Sequence, residues 1–234
     1  MGFGLILFLL SASHFPLASA RAPSSGIPVL NPNAAGYFIF SGTNNIATIS
    51  SSFIVPTLAC QSDTEELVGI LVVLANPSEP PFGFAGLVSA CPGNGSATPI
   101  YFAFWEHPGG SGFASWTPNA GDKIALAVGF SGTTLTDVTQ GETTAGAGTG
   151  VYASAAGCIL THWTPTQPHY DVVSFQGCKA NVDGLTKPIG NLGSLYTLVD
   201  LILANSDPVP TILAQPGRLS AAGNFNIFYR ASGP

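Results

Sequence analysis

The residue of this chain best placed to do chemistry is Glu106, near the end of the run Pro99-Ile100-Tyr101-Phe102-Ala103-Phe104-Trp105-Glu106-His107-Pro108. The run reads as a β-strand. Alternation puts Ile100, Phe102, Phe104 and Glu106 on one face, and Tyr101, Ala103 and Trp105 on the other. A carboxylate in line with two phenylalanines loses hydration, which raises its pKa and keeps it protonated further into weak acid. That is the setting of a general acid or base, so Glu106 is the catalytic candidate. The plainer reading is a strand end at which Glu106 turns to water.

Other constellations are weaker. No G-x-S-x-G elbow exists, and nothing ties a serine to His107, His162 or His169. Glycoside hydrolysis needs a second carboxylate across a cleft. Asp171 and Asp122 are available, but Asp122 in Gly121-Asp122-Lys123 reads as a turn residue. His162-Trp163 with His169-Tyr170 offers rings for a ligand platform, and Trp105, Trp116 and Trp163 could stack on sugars; rings in such places more often pack. There is no C-x-x-C pair, and neither His162 nor His169 stands at metal-site spacing from Cys158, so no metal and no cofactor are expected.

The elements that must position these residues are set by an unusual composition. Only 8% of the 234 residues are charged, against roughly 25% in an average globular domain. Small polar residues and prolines must supply much of the surface. The net charge of -6 and an acidic pI near 4.9 exclude nucleic acid as a partner, because the six basic residues are scattered. Mean hydropathy is +0.37, yet no uninterrupted apolar run after the N-terminus is long enough to span a bilayer, so no membrane association is expected once the leader is removed.

Residues 1–20 read as a signal peptide, with an apolar stretch from Phe3 to Leu10 and the small-residue sequence Ala18-Ser19-Ala20 before Arg21. The expected localisation is therefore secreted. Cys60, Cys91, Cys158 and Cys178 remain after cleavage, and an even count in an exported chain favours two disulfides. Three connectivities are possible, and the spacing favours Cys60–Cys91 with Cys158–Cys178. Asn94-Gly95-Ser96 is a glycosylation sequon for a host that glycosylates.

Residues 21–32 read as an extended lead-in, and 33–234 as a single domain. Short β-rich runs separated by turn residues predict strands at 36–40, 46–55, 67–75, 83–90, 100–106, 123–130, 134–138, 150–154, 158–163, 171–175 and 224–230. The stretch 195–203 fits a helix or a buried strand. Thr143–Gly150 reads as a flexible loop or hairpin tip. Many short strands with turn chemistry between them point to an all-β sandwich or barrel.

Several short motifs, in order, resemble the glutamic peptidases, or eqolisins. They are Gly36-Tyr37, Ser52-Phe53-Ile54-Val55-Pro56, Val68-Gly69-Ile70, Tyr101-Phe102-Ala103-Phe104-Trp105-Glu106, Gly121-Asp122-Lys123-Ile124, Pro216-Gly217-Arg218-Leu219-Ser220 and Phe225-Asn226-Ile227. The resemblance covers most of the mature chain. It implies a two-sheet antiparallel β-sandwich of the concanavalin-like, jelly-roll kind and a peptide-binding cleft. The family's glutamate acts as general base on a water, and its glutamine binds that water and the developing oxyanion. The motif holding the glutamine falls on Phe84–Ser89, where Gly86 is the nearest match. The motif holding the glutamate falls on Ala156–Thr161, where Thr161 lies closest. Leu67 stands in place of a tryptophan before "V-G-I", and Phe102 in place of an acid. Glu106 matches an accessory glutamate near the cleft.

Two functions follow. The first is a non-catalytic, diverged relative that binds a peptide or glycan in a cleft lined by Phe102, Phe104, Gly86 and Thr161. The second is an acid endopeptidase with a rearranged site that includes Glu106. Without the Gln/Glu pair the first is favoured, since a fold alone does not carry chemistry.

Overall fold

In a computed structural model, the structure describes residues 28–229 apart from 32, 44, 61–64, 77–82, 94, 97, 163–169, 171, 193–195 and 205–211. The first strands are β1 (Pro28–Asn31), β2 (Ala34–Ser41), β3 (Ile46–Ile54), β4 (Glu65–Ala75), β5 (Gly83–Pro92), β6 (Ile100–His107), β7 (Gly110–Phe113) and β8 (Lys123–Gly129). They are followed by β9 (Thr133–Asp137), β10 (Glu142–Gly146), β11 (Ala155–His162), β12 (Val172–Val182), β13 (Leu185–Pro188), β14 (Tyr196–Ala204), β15 (Ile212–Pro216) and β16 (Phe225–Tyr229). The only helical element among the described residues is one 3₁₀ turn, Ile189–Asn191.

Hydrogen bonding joins the strands in the order β10-β9-β8-β3-β12-β16-β15-β14-β2-β11-β4-β5-β6-β7. The path folds back on itself into two layers, the antiparallel β-sandwich expected from the sequence. β3 and β8 of one layer pack face to face on β4, β5 and β11 of the other without sharing hydrogen bonds. Alternation explains the seam. Ile49, Phe53, Ile124, Leu126 and Phe175 point inward from the second layer, and Tyr37, Ile70, Val72, Leu87 and Leu160 from the first. The first layer, β14-β2-β11-β4-β5-β6-β7, carries the candidate site.

The register also explains two ties between the layers. Cys158 on β11 and Cys178 on β12 are fully buried and bonded to each other through the inter-layer core. Cys60–Cys91 ties the segment after β3 to the end of β5, so both expected pairings are present. At the open edge, the Trp105 indole lies against Gly112 of β7 and Gly146 of β10. A Cβ at either glycine would come within 2.7 Å of the ring. That aromatic stacks on His107 as well, with centroids 5.2 Å apart.

Some sequence expectations fail in detail. No strand forms at 150–154; only Ala153 bridges to Ile46, and Gly150 takes a φ of 69° that interrupts extended backbone. Residues 143–146, read as loop, instead form most of β10, because four of the five β10 positions are Thr, Ala or Gly and pair with β9. Residues 28–31 pair in parallel with β14. The ambiguous stretch 195–203 contributes β14, a strand. Residues 1–20, read as a signal peptide, and Asn94, Trp163, His169 and Asp171 lie outside the described residues.

Replacing Cys158 and Cys178 together by alanine should lower unfolding free energy by about 3 kcal/mol. Urea denaturation of parent and variant, both with Cys60–Cys91 intact, measures the difference.

Candidate functional site

The outer face of the first layer is apolar across its width. Register places Phe113, Phe104, Gly86, Leu71, Ile159, Gly36, Leu201 and Val29 side by side on eight successive strands. The adjacent row runs Ser111, Glu106, Phe84, Val73, Gly157, Phe38 and Val199. A third holds Phe102, Val88, Gly69, Thr161 and Ala34. Phe38, Leu71, Val73, Val88, Phe104, Ile159 and Leu201 among them belong to a second hydrophobic cluster, separate from the inter-layer core. Leu71, Val73 and Ile159 are 2% exposed or less, so this face is as dry as a protein interior.

Large and small side chains interlock here. A Cβ on Gly86 would collide with the Leu71 side chain and come within 2.7 Å of the Ile70 carbonyl oxygen. A Cβ on Gly157 would come within 2.7 Å of the Phe38 ring. Gly36 has a φ of 142° and lies against the β11 backbone, 2.9 Å from Ile159 Cα to its would-be Cβ. The glycines are therefore sockets, and Leu71 and Phe38 fill two of them. Aromatic pairs continue the surface to its rim: Phe84–Phe104 at 5.5 Å, Phe102–Phe113 at 5.8 Å and Phe38–Phe40 at 5.9 Å between centroids. Ile100 and Phe113 stand exposed at that rim.

The structure brings Glu106, Phe102, Phe104 and Gly86 together on this face and sets Thr161 one strand beyond β4. Thr161 is 1% exposed, and its hydroxyl donates to the Asn33 carbonyl at 2.8 Å. Glu106 is half-buried at the end of β6, where burial pushes its carboxyl above the ordinary value. Its register neighbours are Phe84 and Ser111, neither of them an acid, imidazole or amide. The Asp122 carboxylate is engaged elsewhere: it accepts from the Asn119 backbone N–H at 2.8 Å and the Gln140 amide at 2.8 Å. Although desolvation acts to raise its pKa, the hydrogen bonds from Gln140 and Asn119 hold it below the usual range. Asp122 thus serves the turn before β8, as its sequence context suggested.

His162 faces the other way. It lies opposite Val68 on the inward side of β11, and burial lowers its pKa to about 3, with Nε2 buried and unpartnered. The residues that sequence reasoning missed are the fillers Leu71, Phe38, Ile159 and Phe113. Their signal was present in Gly36, Gly86 and Gly157, glycines inside strands, which commonly mark close approach of a neighbour.

Two predictions follow from this packing. Gly86→Ala should destabilise the protein by about 1–3 kcal/mol, because Leu71 or the β4 backbone must shift; thermal unfolding measures it. Separately, His162 is nearly neutral in the folded state down to about pH 3 but protonates near pH 6.5 when unfolded. The folded state then binds fewer protons, so stability should fall as pH drops from 6.5 toward 3, by about 4 kcal/mol in all. Glu106 acts in the opposite direction, since a raised carboxyl favours the folded state as pH falls. Urea midpoints across this range should show the downward trend in the parent and a flatter one in His162→Leu.

No family model and no curated protein sequence matches this chain. Solved structures do. A scytalido-glutamic peptidase bound to a peptide-based transition-state analogue superposes with a TM-score of 0.60 at 18% identity, over 85% of this chain and 98% of that one. SCP-B, a member of the eqolisin family of peptidases bound to the tripeptide Ala-Ile-His, superposes with a TM-score of 0.57 at 16% identity, over the same shares. The β-sandwich built here, with its interlocked outer face, has the fold of the glutamic peptidases.

Proposed function

We propose that this chain is a secreted, non-catalytic relative of the glutamic peptidases that holds an apolar peptide segment against the exposed rim of its first layer, around Ile100, Phe102 and Phe113. The observation that carries this reading is the seating of Leu71 over Gly86. Where the resemblance puts the glutamine there is no room for a side chain, and the hydroxyl of Thr161 is already a donor to Asn33. At these two positions, water would therefore lack the amide and the carboxylate that the family uses to activate it.

Peptide rather than glycan suits the lining. Aliphatic and phenylalanine side chains satisfy apolar peptide side chains, whereas a sugar would leave its hydroxyls unpaired against them. The structural neighbours hold peptides or peptide-based analogues. The two disulfides accord with an oxidising, extracellular destination, and no helix among the described residues is long and apolar enough to cross a membrane. Cleavage of residues 1–20, a single domain over 33–234 and glycosylation of Asn94 belong to the same proposal.

The second reading is an acid endopeptidase working through Glu106, and the raised pKa of that carboxyl favours it. Against it stands the lack of an acid, imidazole or amide in the neighbouring register positions, which hold Phe84 and Ser111. Digestion of a denatured protein at acid pH separates the two. The purified mature chain should leave it intact; cleavage that disappears in Glu106→Gln would establish the endopeptidase instead. In fluorescence titrations, phenylalanine-rich peptides should bind the parent, and Phe102→Ser with Phe113→Ser should weaken binding about tenfold.

A further inference from the structure

The outer face of the second layer is built differently from that of the first. It holds an open trough of about 470 Å³ with β8 as its floor. The two outward residues of β8 there are alanines, and hydroxyl side chains flank each. Ala127 sits between Ser50 on β3 and Thr134 on β9, and Ala125 between Ser52 and Thr136. Short side chains on the central strand and longer hydroxyls on its neighbours make a groove along the strand.

Two of the three lysines in the sequence line this groove, Lys123 and Lys179. Lys123 lies opposite Ile54, and Lys179 opposite Ser50. They are thus four residues apart along β3 and on strands either side of it, or about 16 Å between Cα atoms. No carboxylate lines the groove, although the chain carries twelve acids against six basic residues. A positive trough in a negative molecule is a segregation of charge that solubility alone does not require.

Backbone irregularity puts the second lysine in place. Three steps along β12, from Gln176 to Lys179, are matched by two along β3, from Ser52 to Ser50. Gly177 absorbs the extra residue at a φ of 62°, and its N–H donates to the Asn224 side chain at 2.7 Å. The bulge lets Cys178 point inward to its disulfide while Gln176 and Lys179 both project outward beside the groove.

We infer that this trough is a binding site for an anionic oligosaccharide, a uronate- or sulfate-bearing chain whose acid groups meet Lys123 and Lys179 and whose hydroxyls meet Ser50, Ser52, Thr134, Thr136 and Gln176. Hydroxyls and an amide both donate and accept, which matches a polyhydroxylated chain at every step. Lysine ammoniums are point charges that tolerate varied anion geometry. No aromatic ring lines the trough, so a neutral glycan held by stacking is a poor fit. An acidic peptide offers the charge but few hydroxyls, and is the competitor that the test must separate.

Titration calorimetry on the purified mature protein provides the test. The probes are a galacturonate oligomer and a sulfated oligosaccharide long enough to span both lysines, a neutral glucan of equal length, and polyglutamate. Saturable binding of at least one anionic oligosaccharide is expected, weakening as salt rises and at least tenfold tighter than the glucan or polyglutamate. Lys123→Gln with Lys179→Gln should weaken it at least tenfold, and so should Ala127→Phe, which fills the trough; unfolding midpoints near the parent's confirm folded variants. Lys123→Arg with Lys179→Arg should retain binding if the Ala127 variant fails to fold. No saturable binding of either anionic oligosaccharide, binding unaffected by the lysine substitutions, or equal affinity for polyglutamate would overturn the assignment.

Discussion

The central strands of the first layer are buried on both faces, and much of the structure follows from that. β4 is buried at every position after Glu65, and β11 at every position. Antiparallel sheets commonly keep one face in water, which gives alternating sequences. Here Leu67-Val68-Gly69-Ile70-Leu71-Val72-Val73-Leu74-Ala75 is continuous, because odd residues pack on the outer face and even ones in the inter-layer core. A chain with so few charges has the apolar residues to build two dry surfaces from one sheet. The consequence is that the centre of the outer face is closed to solvent.

The glycine sockets show how such a face closes. Side chains one strand apart are too near for two large groups to lie flat, so a large residue over a glycine gains dispersion contacts without strain. Leu71 over Gly86 and Phe38 over Gly157 are this arrangement on neighbouring strands. Packing holds these positions. Glu106 escapes because it sits at the strand end, with Ser111 on one side and Phe84 on the other.

The two layers divide the protein's capacities. The first layer has a closed apolar outer face, with Phe113 and Ile100 exposed at its rim. The second presents hydroxyls and lysines over alanines. The Cys158–Cys178 bond and the interlocked core between them hold the faces in fixed relation, so one rigid body can offer an apolar surface on one side and a polar, cationic one on the other.

Much of this was legible in the residues. Alternation alone assigned Phe102, Phe104 and Glu106 to one face and Tyr101, Ala103 and Trp105 to the other, because strand geometry fixes side-chain direction at a period of two. Cysteine spacing favoured the two disulfides, and the order of short motifs carried the sandwich. Strand edges were less legible. β10 is built from threonine, alanine and glycine that resemble loop until β9 supplies hydrogen-bond partners, and residues 150–154 look β-like yet break at Gly150. What only the tertiary structure decided is which residues become neighbours across strands. Nothing local in the sequence says that Leu71 lies over Gly86, that His162 is sealed in the core, or that a bulge at Gly177 turns Lys179 to the trough. Those depend on register, which is set by the packing of all the strands at once.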